Sequence, residues 1–123
     1  MALDFYLQAD TLLEADEARY RAYFMLEPPP LLAQMDVRAY TLLTPWVQRC
    51  EAEQLGVRSF FDDTLLPSTA IPRARLLLEQ TYRSMTGRTL VGSDPTRSHN
   101  PFRQMDAILG HARVGYGILA LCD

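Results

Sequence analysis

Few side chains in this sequence have catalytic or ligating chemistry. There are two histidines, His99 and His111, two cysteines, Cys50 and Cys122, and one adjacent pair of aspartates, Asp62-Asp63. A zinc or di-iron centre needs several imidazole, thiolate or carboxylate ligands at workable spacing. No H-E-x-x-H, paired C-x-x-C or E-x-x-H pattern occurs. Nucleophilic catalysis needs a serine or cysteine with a base and an orienting group. Cys50 follows Arg49 on an expected helix that begins at Trp46. His111 lies beside the apolar stripe of Ile108 and Ala112, the setting of a core histidine. His99, in Ser98-His99-Asn100-Pro101, leads into a helix cap. Neighbouring side chains of an extended segment point to opposite sides, so Asp62 and Asp63 read as turn-capping acids. Thr86-Gly87-Arg88 and Val91-Gly92-Ser93 are too sparse in glycine to cradle a phosphate. The expectation is a non-enzymatic chain with no metal and no cofactor.

The elements expected to carry these residues are helices. Thr11 and Glu14 have the capping-box spacing. From there Leu13, Tyr20 and Phe24 recur at helical intervals until Pro28, Pro29 and Pro30 end the element. Leu31 to Leu43 reads as a second helix, with Leu32, Met35, Ala39 and Leu43 on one face. A third runs from Pro45 to about Leu55, anchored by Trp46 and closed by Gly56. Val57 to Ala70 reads as a loop or broken short element. Ala74, Leu77, Leu78, Thr81, Tyr82 and Met85 follow the helical template without a miss, and Gly87 closes that helix. After a polar connection over 88–100, Asn100-Pro101 opens a last helix. Its stripe continues through Met105, Ile108, Leu109, Ala112, Tyr116 and Leu119. Gly110, Gly115 and Gly117 fit close helix packing there, or else a break near Val114 and a terminal strand. The sum is an all-α fold, one helical domain over residues 1–123, a bundle of about five helices. Leu3 to Leu7 fits either a short N-terminal strand or the first turns of a helix.

A chain of 123 residues buries roughly two-thirds of its unfolded surface, enough for a core without metal or disulfide staples. The net charge is −3, and every one of the twelve basic residues is arginine. Residues 1–63 carry eleven acids against five arginines, and residues 64–123 carry four against seven. Such asymmetry arises when the halves pair on folding, or when an acidic face meets a basic partner. No apolar run approaches the length of a membrane span, and two thiols outside any C-x-x-C motif fit a reducing cytoplasm. Aromatics are not interleaved with the C-terminal arginines as a nucleic-acid stacking surface requires.

The opening Met1-Ala2-Leu3-Asp4-Phe5-Tyr6-Leu7 resembles the start of small bacterial immunity proteins of polymorphic toxin systems. That resemblance implies a small acidic cytosolic protein that binds and blocks a cognate toxin. It carries over no functional residue. The chain's own acids supply the candidate partner-binding surface: Asp10, Glu14, Asp16 and Glu17 on the first helix, with Phe60, Asp62 and Asp63 in the following loop region. The expected partner is a protein with a basic surface, a toxin or a secreted effector. Self-association through the glycine-bearing last helix stays open. A second class of reading is a small helical enzyme or ligand-binding subunit using Asp94, Arg97 and His99 in the 94–103 loop. A third is a nucleic-acid-associated regulator using Arg88, Arg97 and the other C-terminal arginines.

Overall fold

A chain whose first and last segments are both apolar can shield both by pairing them, and this one does. The computed structural model describes residues 2–13, 31–59, 63–90 and 100–122. The strands are β1 (Ala2–Ala9), β2 (Leu31–Asp36), β3 (Thr64–Leu66) and β4 (Tyr116–Cys122). They form one antiparallel sheet in the order β2-β1-β4-β3. The helices are α1 (Asp10–Leu13), α2 (Val37–Thr41), α3 (Thr44–Ala52), α4 (Ile71–Thr86) and α5 (Pro101–Leu109), with a 3-10 turn at Ser68–Ala70.

The all-α bundle is therefore corrected to a mixed fold, a four-stranded antiparallel sheet packed with helices. The expected second helix is strand over Leu31–Asp36 and helix only over Val37–Thr41. Asp36 divides them: its carboxylate accepts from Ala39 N–H at 2.8 Å and caps α2. The expected last helix stops at Leu109. Beyond it Arg113 and Tyr116 exchange backbone bonds of 3.2 and 2.9 Å around Val114-Gly115. Gly115, at φ +81, supplies the left-handed residue that this turn needs. The chain then reverses into β4. The helix expected from Thr11 is described only as far as Leu13.

Pairing registers sort the sheet into two faces. Leu3, Phe5, Ala33, Met35, Leu66, Ile118 and Ala120 lie on the face that joins the helices in the main core. Tyr6, Leu65, Leu119 and Leu121 form a smaller cluster on the other face. Trp46 is 1% exposed and donates its indole N–H to Ala74 O at 2.9 Å, fastening α3 to α4 across the core. α4 buries Ala74, Leu77, Leu78, Thr81 and Tyr82 as its periodicity requires and ends in Gly87 at φ 72. Asn100 caps α5 by accepting from Phe102 N–H at 2.9 Å.

Gly56 has a different role from the helix cap expected of it, since α3 ends at Ala52. At φ +105 its backbone lies against β3: Leu65 N–H donates to Gly56 O at 3.0 Å, and a Cβ here would meet Leu65 O at 1.9 Å. Arg58 N–H donates to Thr64 Oγ1 at 3.0 Å, and Tyr40 OH donates to Arg58 O at 2.6 Å. These bonds lay the 56–58 segment along the outer edge of β3. Gly56→Ala should cost about 2 kcal/mol or more, combining backbone strain with a backbone clash. Urea denaturation would check this, with an unchanged midpoint as the contrary result.

Candidate partner-binding cleft

Hydrogen-bond alternation decides which sheet edge is open. Asp10 N–H donates to Gly115 O at 2.9 Å, extending the β1–β4 ladder, whereas Leu65 N–H points away from β4 to Gly56. Successive backbone groups of a strand alternate sides. The amides of Leu3 and Phe5 consequently face β2, those of their partners Met35 and Ala33 face β1, and the N–H and C=O of Gln34 face outward. Among the described residues no backbone group bonds to that outer edge of β2.

A cleft of about 510 Å³ runs beside this open edge. Leu32, Ala33, Gln34 and Met35 form one wall, and Gln104, Ala107, Ile108 and His111 form the other. The second set is spaced i, i+3, i+4, i+7, a single face of α5 and its C-terminal turn. Leu31, at the head of β2, is 53% exposed. The cleft thus joins an apolar floor to an unpaired strand edge, with the Gln104 amide and the His111 imidazole at its rim. Gln34 Nε2 donates to Asp4 Oδ1 at 2.7 Å on the opposite face of the sheet.

His111 departs from the core role expected of it. The helix ends at Leu109, so His111 leaves the buried stripe and stands exposed on the cleft wall. Leu32 and Met35 also fit a helical period, which hides β2 as a wall of the cleft in the sequence. The signal that marks its end is Asp36, a capping residue type in the middle of the expected helical run.

The acids proposed for partner binding divide. Asp10, at the start of α1, accepts from Ser68 N–H at 2.8 Å and from Ser68 Oγ–H, so its carboxylate is committed to tying α1 to the 3-10 turn. Asp63 precedes β3, half-buried, and lines a separate cleft of about 330 Å³ with Arg58. Glu14, Asp16, Glu17, Phe60 and Asp62 lie outside the described residues, as do Asp94, Arg97 and His99. Asp10 and Asp63, the two described candidates, thus sit apart, one against the 3-10 turn and the other beside Arg58.

Three of the described arginines are matched by carboxylates within the chain. Arg73 forks onto Glu53 at 2.7 and 2.8 Å, linking the acidic half to the basic half, and holds that carboxyl below its ordinary range. Arg75 meets Asp106 at 3.1 Å, and Arg83 meets Glu79 at 3.2 Å. Arg113 stacks on the Tyr116 ring at 4.5 Å. No ion pair holds Arg38, Arg49, Arg58, Arg88 or Arg103 among the described residues. Arg103 Nε is buried without a hydrogen-bond partner. Among the described residues no group of three or more His, Cys, Asp or Glu is placed to hold a metal ion, and no helix is long and apolar enough to cross a membrane.

Cys50 is fully buried in the main core, and burial pushes its thiol from an ordinary 9.0 up to about 12. Burial likewise pushes the Tyr40 hydroxyl from 10.0 up to about 12. The thiolate is the reactive form, so Cys50 should resist iodoacetamide at pH 8 in the folded chain and alkylate on unfolding, as peptide mass spectrometry would show. The raised values also set an alkaline limit. Unfolded chains lose these protons from about pH 9 upward while the folded state keeps them, so their contribution to stability falls between about pH 9 and 12. Thermal melts across that window test this, and a melting temperature flat to pH 12 would contradict it. No protein-family model, curated protein or solved structure matches the chain, so the geometry of the fold carries the functional argument.

Proposed function

We propose that this chain is a non-enzymatic protein-binding module, an immunity-type protein that neutralises a cognate toxin in the cytoplasm, and that it takes hold of its partner by strand addition to β2. The observation that carries the reading is the outward N–H and C=O of Gln34 beside an apolar cleft walled by α5. An extended partner segment gains main-chain bonds from the edge and side-chain burial from the cleft. The opening residues' resemblance to immunity proteins supplies the toxin class. Glu14, Asp16 and Glu17 supply the acids that would meet a basic part of the same partner.

Gln34 separates the backbone role from the side-chain role. Gln34→Pro deletes the outward donor and is tolerated on an edge strand, because the β1–β2 ladder uses Ala33 and Met35. Gln34→Ala keeps the donor and removes the bond to Asp4. A partner captured at near one-to-one from native lysate should lose at least about tenfold in affinity with Gln34→Pro and little with Gln34→Ala. Equal affinities for the two variants, both folded by circular dichroism, would rule out strand addition.

A further inference from the structure

At the opposite edge of the sheet from β2, the second cleft, of about 330 Å³, lies beside β3. Half-buried Leu55, Leu65 and Pro67 give it an apolar floor. Its charges are of both signs, since Arg58 and Asp63 line it together. The bond from Arg58 N–H to Thr64 Oγ1 at 3.0 Å sets residue 58 against the residue that follows Asp63. Tyr40 OH holds Arg58 O at 2.6 Å, so the backbone beneath the guanidinium is fixed from two sides. The side chain itself is exposed, and among the described residues Arg58 forms no ion pair, with Asp63 or any other acid.

A third polar group reaches the cleft at a conformational cost. Gln54 N–H donates to Glu51 O at 3.0 Å and Leu55 N–H to Cys50 O at 3.1 Å, the bonds of a Schellman closure to α3. This closure puts Gln54 at φ 56, a left-handed conformation that glycine adopts without strain and that Gly87 adopts after α4. Gln54 stands there instead, with its side chain on the cleft wall. Strained residues of this kind concentrate at binding sites.

We propose that this cleft binds a free aliphatic α-amino acid. Its carboxylate lies on the Arg58 fork and the Gln54 amide, its ammonium on Asp63, and its side chain on Leu55, Leu65 and Pro67. An anion alone would meet Asp63 as a like charge, and a cation alone would meet Arg58; a zwitterion meets two opposite ones. A carboxylate accepts at several lone pairs, so Asp63 takes the ammonium alongside the interaction it already has. The volume is at the small end of ligand pockets, which run to roughly 300–1,000 Å³. A chain terminus carries only one of the two charges on its last residue, so the free amino acid is the better match.

Two-dimensional NMR of the full chain, titrated with leucine, isoleucine and valine, tests this. At least one should move the amide resonances of residues 54–58 and 64–66 saturably. N-acetyl-leucine keeps only the carboxylate and leucinamide only the ammonium, and each should bind about tenfold more weakly than leucine. Arg58→Gln should weaken leucine about tenfold without weakening leucinamide, and Asp63→Asn should weaken leucine without weakening N-acetyl-leucine. Gln54→Gly should melt no lower than the parent chain and still lose affinity for leucine, which separates binding from folding. Gln34→Pro, at the other edge, should leave leucine binding unchanged. Absence of saturable shifts with all three amino acids would overturn the proposal. So would N-acetyl-leucine or leucinamide binding as tightly as leucine, the first making a chain's C-terminal residue the ligand and the second an N-terminal one.

Discussion

The pairing of β1 with β4 is the constraint on which the other elements depend. It runs from Leu3↔Cys122 to Ala9↔Tyr116, joining segments separated by almost the whole chain, and places both in the middle of the sheet. Such a contact bears a large loop-closure cost that local contacts do not, so it forms only with the apolar burial that accompanies it. The side-chain alternation it imposes sends Phe5, Ile118 and Ala120 to the helices and Tyr6, Leu119 and Leu121 to the other face. A one-residue slip would reverse every one of these assignments. The turn at Val114-Gly115 and the bond from Asp10 N–H to Gly115 O fix the register at one end, and Asp10 extends that anchorage to Ser68.

With β1 and β4 central, the sheet must end in β2 and β3, and the two edges are treated differently. The 56–58 segment lies on β3, admitted by the missing side chain of Gly56 and held by Tyr40 and Thr64. β2 has α5 standing beside it but no described backbone on its edge. An open edge is ordinarily a hazard that proteins blunt with charge, proline or cover. Here the strand has one charge, Asp36, at its end, and an irregularity in its pairing between Phe5 and Tyr6.

Legibility in the sequence followed how local each determinant is. α4 was readable residue by residue, because a six-position stripe and a terminal glycine are properties of the segment itself; only Met85, past the reach of the core, stays exposed. The Asn100-Pro101 start of α5 was equally local. β2 was not, since Leu-Leu-Ala-Gln-Met is composed of good helix formers and becomes strand only by pairing with β1. β4 failed for another reason. Gly117 to Ala120 are buried on both faces of a central strand, and a continuous apolar run has no period to distinguish it from buried helix. The cleft inherited both errors: one wall was hidden inside an expected helix, and His111 was assigned to a stripe that had already ended.

The placement of α5 also limits what can use the open edge. A lone extended segment along β2 would set alternate side chains under Ala107 and Ile108, which line the cleft opposite the strand. A second folded copy would arrive as an edge already backed by its own α5. In the two-fold antiparallel arrangement the two helices would meet on the same side of the joined sheet, competing for the space each cleft encloses. The same helix that gives the edge an apolar floor therefore selects against edge-to-edge pairing of whole sheets. Both outcomes come from packing rather than from charge.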